Sequence, residues 1–384
     1  MTELAVRDFG QIAEAKVAFG DLTLIIGPQA SGKSIFLQLF KLLNDNVEIV
    51  RNLKKQGFNW HNDQDKFLDS YFGENMHFLR KKKTMIHLNG KIASLRSGEI
   101  ALNETESGEH VFYIPAQRVM VLDDGWPRPF SGFRIGDPYV VKDFSERLRL
   151  LMETGLGKDK NPIFPHNRSL KQALSSRLDA SIFKGAAVEL DSSQLRNRLV
   201  LRVDDVTLPY MTWSTGQREF MPLLLGLDRF LTTATTIKKK SDVDWVIVEE
   251  PEMGLHPRAI LSLTLILLDL IARGYKLIIS THSPVIPETV WALQMVKELN
   301  GGIEALYKLF DIEKSKSTDW IFKKALAKTY KTHYFDWQPD GIHSRDISSL
   351  NPGDEAEGVA DWGGLTEFSS NASEVISKLV QERE

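Results

Sequence analysis

The stretch LTLIIGPQASGKS, residues 22–34, decides the fold class of this chain. Its first five residues form an apolar run of the kind found in strands buried inside a parallel sheet. The next eight residues fit the pattern G-x-x-x-x-G-K-[ST]. Apolar residues at helical spacing follow from Phe36 to Val50, which predicts an amphipathic helix. A buried strand, a glycine-rich loop and a helix in this order predict an α/β fold of the P-loop NTPase type.

The residue types in this loop suit a bound triphosphate, although an ordinary glycine-rich turn is the alternative interpretation. The two glycines let successive backbone N–H groups point at phosphate oxygens, and the start of the helix adds the positive end of its dipole. The lysine reaches the β- and γ-phosphates, and the last serine ligates Mg²⁺. The residues that we expect to bind ATP are Gly27, Gln29, Ala30, Ser31, Gly32, Lys33 and Ser34.

A second apolar run, Val246-Ile247-Val248, ends in two adjacent carboxylates, Glu249 and Glu250. Ligands of open α/β sheets bind at the carboxyl ends of such strands. We therefore expect Glu249 to join Ser34 in holding Mg²⁺ and Glu250 to act as the general base that polarises the attacking water. The alternative is an acidic surface run that only caps a strand.

His282 follows a third apolar strand pattern, Lys276–Ser280, which is separated from the acidic strand by a helix pattern over 259–272. Two strands joined by a helix form a βαβ unit, so we expect parallel strands and side chains that meet at one edge. There His282 would contact the γ-phosphate and sense its loss. The alternative is a structural histidine without contact to a ligand.

A second helix start lies at Ser214, Thr215, Gly216 and Gln217, before an amphipathic pattern that continues to Phe230. Ser214 suits an N-cap, and Gly216 lets a phosphate approach the backbone. One chain already has its own phosphate loop, so we interpret this segment as the half-site that clamps the γ-phosphate held by a second subunit. An ordinary helix cap is the alternative.

The amino-acid composition excludes several classes of protein. The chain has 384 residues, a net charge of −3, 42% hydrophobic residues and no cysteine. This composition excludes wholesale disorder, disulfides and cysteine-ligated metal sites. The charge balance does not favour a general nucleic-acid binder, although a local basic patch stays open. Residues 1–10 show no signal-peptide pattern, and no apolar stretch is long enough to cross a bilayer, so we expect a soluble, cytoplasmic protein without membrane contact.

The patterns along the chain predict one large head over residues 1–290. Within it, 57–109 has the polar texture of an insertion with antiparallel β structure, and 123–186 is expected to form a helical lobe. Residues 291–384 are predicted to be mostly helical, with a short hairpin at Pro339-Asp340-Gly341 and an acidic loop.

The order of these motifs resembles an ABC-type ATPase head, and among such heads it is most similar to the branch shared by SMC-like repair ATPases and the OLD family. In that comparison Ser214–Gln217 corresponds to the family's signature segment, with Thr215 where a glycine is usual. Gln117, in the run Pro115-Ala116-Gln117-Arg118, resembles the glutamine that contacts Mg²⁺ and water. The resemblance implies ATP and Mg²⁺ as ligands and a homodimer or higher homo-oligomer that sandwiches nucleotide.

We recognise neither the sustained heptads of an SMC-like coiled coil nor the acidic motif of an OLD nuclease domain in these residues, so we expect a bare ATPase head. The chain therefore resembles the stand-alone ATPases of bacterial anti-phage systems, which implies a separately encoded, nuclease-like effector. The alternatives are a DNA-repair or DNA-clamping head and an ATP-locked scaffold with little turnover. Two basic runs, Arg80–Lys83 and Lys238–Lys240, are read as solvated loops, with nucleic-acid contact as the alternative.

Overall fold

A computed structural model describes residues 2–93, 95–96, 99–100, 108–154, 162–165, 170–192, 197–231 and 243–381. The longer strands alternate between buried and exposed positions or are buried throughout, as sheet members must be. The strands are β1 Glu3–Phe9, β2 Ile12–Ala18, β3 Leu22–Ile26, β4 Arg80–Leu88, β5 Lys91–Ile92, β6 Leu95–Arg96, β7 Glu99–Ile100, β8 Val111–Ile114, β9 Leu122–Asp123, β10 Trp126–Pro127, β11 Ala187–Asp191, β12 Arg198–Val203, β13 Val206–Pro209, β14 Trp245–Glu249, β15 Lys276–Thr281, β16 Tyr330–Gln338 and β17 Gly341–Asp346.

Eleven α-helices lie in the described part of the chain. Their apolar faces pack on the sheet or on one another, with the exception of the last helix, which is largely exposed. The helices are α1 Lys33–Lys55, α2 Gln64–Phe72, α3 Tyr139–Thr154, α4 Gln172–Leu178, α5 Thr215–Asp228, α6 Pro257–Ala272, α7 Val285–Glu298, α8 Gly302–Phe310, α9 Lys316–Leu326, α10 Glu357–Ala360 and α11 Glu367–Gln381.

One ten-stranded mixed sheet organises the molecule, in the order β5-β4-β1-β2-β17-β16-β3-β15-β14-β8. Its central strands β16, β3, β15, β14 and β8 run parallel, so their carboxyl ends lie along one edge. Strand β3 leads into the phosphate loop and α1, while β14 and β15 end at Glu249 and Thr281. The predicted α/β class of the P-loop type, with a mixed sheet, is confirmed by this arrangement.

The boundary predicted at residue 290 does not divide this sheet. The hairpin of the C-terminal region was expected to lie outside the head, but β16 pairs in parallel with β3 and β17 pairs in parallel with β2. The carbonyl oxygen of Phe335 on β16 lies 2.5 Å from where a Cβ atom of Gly27 would stand. The C-terminal hairpin is therefore part of the large sheet and lies beside the phosphate loop. Because the Phe335 carbonyl is so close, only glycine fits at position 27.

The region 57–109 contributes α2 and strand β4, and β4 pairs antiparallel with β1. The basic run Arg80–Lys83 was interpreted as a loop, but it lies at the start of β4. There the register shifts, and the Thr84 hydroxyl donates to the Asp8 carbonyl. This bulge exposes all four basic side chains. The second run, Lys238–Lys240, lies outside the described residues.

The predicted helical lobe contains α3, α4 and a π-helical turn over Asp179–Phe183. The three-stranded sheet β11-β12-β13 follows it in the chain and is separate from the large sheet. No helix in the described part of the chain combines the length and the apolar character that a bilayer crossing requires.

Candidate functional site

The phosphate loop has the left-handed backbone that its sequence demands. Gly32 caps α1 at φ 74°, Ala30 has φ 58°, and the Gln11 side chain donates to the Ala30 carbonyl at 3.2 Å. Lys33 is 6% exposed, and its Nζ donates to the carbonyls of Gly27 and Pro28 at 2.8 Å each. The loop therefore wraps around a buried cation at the start of a long helix, as an anion site requires.

Burial lowers the pKa of Lys33 to about 8, while the nearby carboxylates of Glu250, Glu249 and Glu252 act in the opposite direction. The two acidic residues predicted from the sequence are thus close enough to the lysine to influence its charge. The structure brings the phosphate loop and the acidic strand end into one site.

Glu249 is the last residue of β14 and is 1% exposed. Its Oε2 accepts a hydrogen bond from the N–H of Ala116 at 3.2 Å. Burial raises its pKa, while the hydroxyls of Ser34 and Tyr113 and the Ala116 N–H oppose that shift. No hydrogen bond of normal geometry from a described residue reaches the buried Oε1.

A hydroxyl beside an unsatisfied carboxylate oxygen suits a hard cation. Mg²⁺ prefers oxygen ligands and retains several waters, so Ser34 and Glu249 fit it without a larger ligand set. In the part of the chain that the structure describes, no three His, Asp or Glu side chains form a metal cluster. The residues Ser34 and Glu249 therefore fit Mg²⁺ held together with a nucleotide.

Glu250 and His282 face each other, with Nε2 of His282 at 3.5 Å from Oε1 of Glu250. The hydrogen bond from His282 lowers the pKa of Glu250, assisted by the charges of His282, Lys33 and Arg118 and opposed by burial. Glu250 has a φ of 43°, which is unusual for a residue with a side chain. Backbone strain of this kind collects at functional sites. The structure thus presents an ionised carboxylate beside the phosphate loop.

Gln117 lies on a 3-10 turn over Ala116–Val121, and its side chain is exposed. Ala116, one residue earlier, reaches Glu249 through its backbone N–H. The glutamine's contact to metal and water, which the resemblance implied, stays a prediction.

The signature segment caps α5 as the sequence predicted. The Ser214 hydroxyl accepts from the Gln217 N–H at 3.3 Å, and the Gln217 Oε1 accepts from the Ser214 N–H at 3.1 Å. The Gln217 amide also donates to the carbonyl of Ile182, at the π-helical turn. Its side chain is therefore occupied within its own subunit, whereas Ser214 and Thr215 are exposed at the helix start.

Two further residues, Glu252 and Arg118, hold parts of this site in place and were not predicted from the sequence. The Oε1 of Glu252 accepts hydrogen bonds from the N–H of His282 at 2.7 Å, from the N–H of Ser283 at 3.1 Å and from the Thr281 hydroxyl at 2.8 Å. It therefore fixes the turn that carries His282. Arg118 is fully buried and donates to backbone carbonyls of the acidic strand end. The only sequence signal for either is position: Glu252 follows the acidic pair, and Arg118 follows Gln117.

The family described as "AAA domain, putative AbiEii toxin, Type IV TA system" matches residues 154–286. That range holds the signature segment, Glu249, Glu250 and His282, but not the phosphate loop. The Old nuclease of Escherichia phage P2 is 29% identical over 170 residues, which are 43% of this chain and 28% of the relative. The match thus spans less than a third of that nuclease. The two matches confirm the resemblance to the OLD-family branch of ABC-type ATPases.

Solved structures of SMC heads share less sequence identity with this chain than the Old nuclease does. An SMC head bound to the C-terminal winged-helix domain of ScpA has a TM-score of 0.42 at 12% identity, with 90% of this chain and 97% of that chain covered. The SMC head domain from Thermotoga maritima has a TM-score of 0.36 with the same identity and coverage. Since both scores are below 0.5, the fold class rests on the sheet order of this chain itself.

Proposed function

We propose that this chain is a Mg²⁺-dependent ATPase that hydrolyses ATP inside a dimer of two copies. One observation carries the proposal: the predicted site residues lie together at the carboxyl edge of the three neighbouring parallel strands β3, β15 and β14. These residues are Lys33, Ser34, Glu249, Glu250 and His282. Such an edge is the ligand-binding side of an open α/β sheet. The matched AAA domain and the Old nuclease support the ATPase class.

The described residues suit each part of the reaction. The loop N–H groups and Lys33 hold the phosphates, and Ser34 and Glu249 would hold Mg²⁺, which neutralises developing charge when bound. Glu250 takes the proton of a water whose oxygen attacks the γ-phosphorus. The bond between that phosphorus and the bridging oxygen breaks, and its electron pair stays on ADP. The lowered pKa of Glu250 keeps it in the basic form at neutral pH.

The signature segment supports the dimer. Ser214 and Thr215 are exposed at the start of a helix of 14 residues. The capping box uses the N–H groups of Ser214 and Gln217 but not those of Thr215 and Gly216, so the latter two and the helix dipole can face a partner's phosphate. A two-fold interface would then make two identical sites, each with the base from one subunit and the signature segment from the other. Hydrolysis of ATP would open this dimer and act as a switch.

For the biological role, we propose the ATPase or sensor subunit of a prokaryotic anti-phage complex, which acts in the cytoplasm and controls a separate, nuclease-like effector. Support comes from the Old nuclease of a phage and from a matched family whose description names a toxin system. The exposed basic bulge of β4 favours the second candidate, a head that also clamps nucleic acid.

The proposal is tested with Glu250→Gln and Lys33→Ala. Because Glu250→Gln removes the base but keeps the shape, it should abolish turnover while ATP still binds and the dimer accumulates. Lys33→Ala should lose both binding and dimerisation. Phosphate release, calorimetry and light scattering after gel filtration measure the three properties. Glu304→Gln, which changes an exposed ion pair with Lys314, is the matched control. Full turnover by a folded Glu250→Gln protein would refute the assigned base.

A further inference from the structure

Arg118 is one of the largest fully buried side chains among the described residues. Its guanidinium group lies between the acidic strand end and the signature helix. Its two terminal nitrogens donate to the carbonyls of Glu249 and Glu250, at 2.9 Å each. Its Nε donates to the carbonyl of Glu219 at 3.1 Å, and Glu219 belongs to helix α5, which begins at the signature segment. One side chain therefore bonds the acidic strand end and the signature helix at once.

The two carbonyls at the strand end belong to the peptide planes on either side of the Glu250 Cα atom. Their orientation defines φ and ψ of Glu250, and that φ is 43°. A left-handed conformation is unfavourable for a residue with a side chain, so it depends on the hydrogen bonds that hold it. Arg118 supplies two of these bonds, beside the backbone bonds from the Glu250 N–H to the Ser280 carbonyl and from the Met253 N–H to the Glu250 carbonyl. A planar guanidinium with a fixed fork of donors can hold both planes, whereas an ammonium group cannot match that geometry.

A second contact ties the same two elements. A Cβ atom on Gly216 would stand 2.7 Å from the carbonyl oxygen of Gly254, four residues after Glu250. The start of α5 thus packs directly on the chain that leaves the acidic strand end. Both contacts therefore link the acidic strand end to the start of α5.

We propose that Arg118 is a positioning residue that couples the general base of one ATP site to the signature segment offered to the other site. The inference rests on the proposed function. Within one subunit, Glu250 serves the nucleotide bound in that subunit, whereas Ser214 and Thr215 serve the nucleotide bound by the partner copy. Arg118 therefore sets the geometry of both sites of the dimer from a single subunit.

The first test compares Arg118→Lys with Arg147→Lys. Arg147 is another largely buried arginine, paired with Glu109 at 2.6 Å and Asp143 at 2.9 Å, and takes no part in the site. We expect Arg118→Lys to lower kcat about tenfold or more while the affinity for ATP changes less than about twofold, because the phosphate loop is untouched. Arg147→Lys should lower the melting temperature without a selective loss of kcat. Equal kcat effects in the two variants would overturn the inference.

The second test separates the two directions of coupling by mixing variants. In a mixed dimer of Arg118→Lys with Glu250→Gln, only the ATP site of the Arg118→Lys subunit has a general base. That site receives an unchanged signature segment from the Glu250→Gln subunit, so it reports on the position of the base. In a mixed dimer of Arg118→Lys with Thr215→Glu, the ATP site of the Thr215→Glu subunit has an unchanged base. That site receives its signature segment from the Arg118→Lys subunit, so it reports on the signature segment. The reference is the mixture of Glu250→Gln with Thr215→Glu, in which one site per mixed dimer is complete. Both Arg118→Lys mixtures should recover about tenfold less activity than this reference. Full recovery in either mixture would overturn the inference.

Arg118→Gln replaces Arg118→Lys if the lysine variant does not fold. The ATPase activities of the wild type and of Glu250→Gln show whether a negative result concerns the inference or the proposed function. If the wild type does not hydrolyse ATP, or if Glu250→Gln hydrolyses it normally, the proposed function fails. If both behave as proposed and Arg118→Lys keeps normal kcat, only the inference on Arg118 fails.

Discussion

Gly216 in the signature segment lies against Gly254, so closely that a Cβ atom at position 216 would stand 2.7 Å from the Gly254 carbonyl oxygen. The sequence predicts that this glycine allows the approach of a phosphate from a second subunit. The structure gives it a role within its own subunit as well, because a side chain there cannot fit without a shift of the backbone that follows Glu250. An acidic substitution at Gly216 would therefore disturb the fold along with the proposed dimer contact.

Gly216→Ala is predicted to destabilise the protein by about 1–3 kcal/mol through overpacking. It should also lower turnover, since the backbone that must move adjoins the base, while the affinity for ATP stays near normal. Thermal unfolding and phosphate release measure the two effects. Gly353→Ala is the control, because the nearest atom to its Cβ is a side-chain oxygen at 3.6 Å. Normal stability of Gly216→Ala would contradict the close contact.

Thr215→Glu tests the partner contact with less disturbance of the fold, because Thr215 is exposed although its Cγ2 lies near Gly254. Thr215 is exposed in the first turn of α5, where a carboxylate is favourable for the helix but repels a γ-phosphate. The variant should fold normally, bind ATP as a monomer and lack turnover. Mixed in equal amounts with Glu250→Gln, it should recover about a quarter of the wild-type activity, because half of the dimers are mixed and each has one complete site. No recovery from two folded, ATP-binding variants would mean that base and signature segment act within one chain.

The parts of the site that could be predicted from the sequence are those specified by residues close together in the chain. The strand before Gly27, the acidic strand that ends at Glu249 and the strand before His282 were predictable because each is a short apolar run with its functional residue at the carboxyl end. The cap at Ser214 was predictable for the same reason, since a capping box is a pattern within four residues.

What the sequence could not show depends on contacts between distant segments. The hairpin β16–β17 was expected, but its insertion between β3 and β2 depends on strand pairing across about 300 residues of chain. Arg118 has no sequence signal of its own, because only the tertiary structure shows which side of the 3-10 turn over Ala116–Val121 is buried. The packing of Gly216 on Gly254 is equally invisible in the sequence.

The exposed basic bulge of β4 predicts how the nucleic-acid alternative would behave. Replacing Lys81, Lys82 and Lys83 by glutamate should leave basal ATPase activity within about twofold, since four strands separate β4 from β3 in the sheet. If the bulge contacts nucleic acid, the variant should bind duplex DNA at least about tenfold more weakly, with a smaller dependence on salt.

The control for the bulge carries the same change of charge elsewhere. Lys308, Lys323 and Lys324 are exposed on α8 and α9, and their reversal should affect DNA binding less than reversal of the bulge. Fluorescence anisotropy at several salt concentrations measures both variants. Equal DNA affinities and equal salt dependences for the two variants would mean that Arg80–Lys83 does not contact nucleic acid. The run would then be a solvated strand edge whose charges discourage pairing with another strand.

The lowered pKa of Lys33 predicts that ATP affinity depends on pH. Its ammonium group attracts the phosphates, and burial brings the pKa of Lys33 in the free protein to about 8. Below pH 7 the lysine is already charged, so its protonation no longer limits the affinity. Above pH 8 binding must first recharge the lysine, so the affinity should fall by up to about tenfold per pH unit, with uptake of about one proton. Calorimetry at pH 9 in two buffers of different ionisation enthalpy measures that proton. In Lys33→Ala any residual affinity should show no such dependence, and a wild-type affinity that stays constant to pH 9.5 would show that Lys33 is charged throughout.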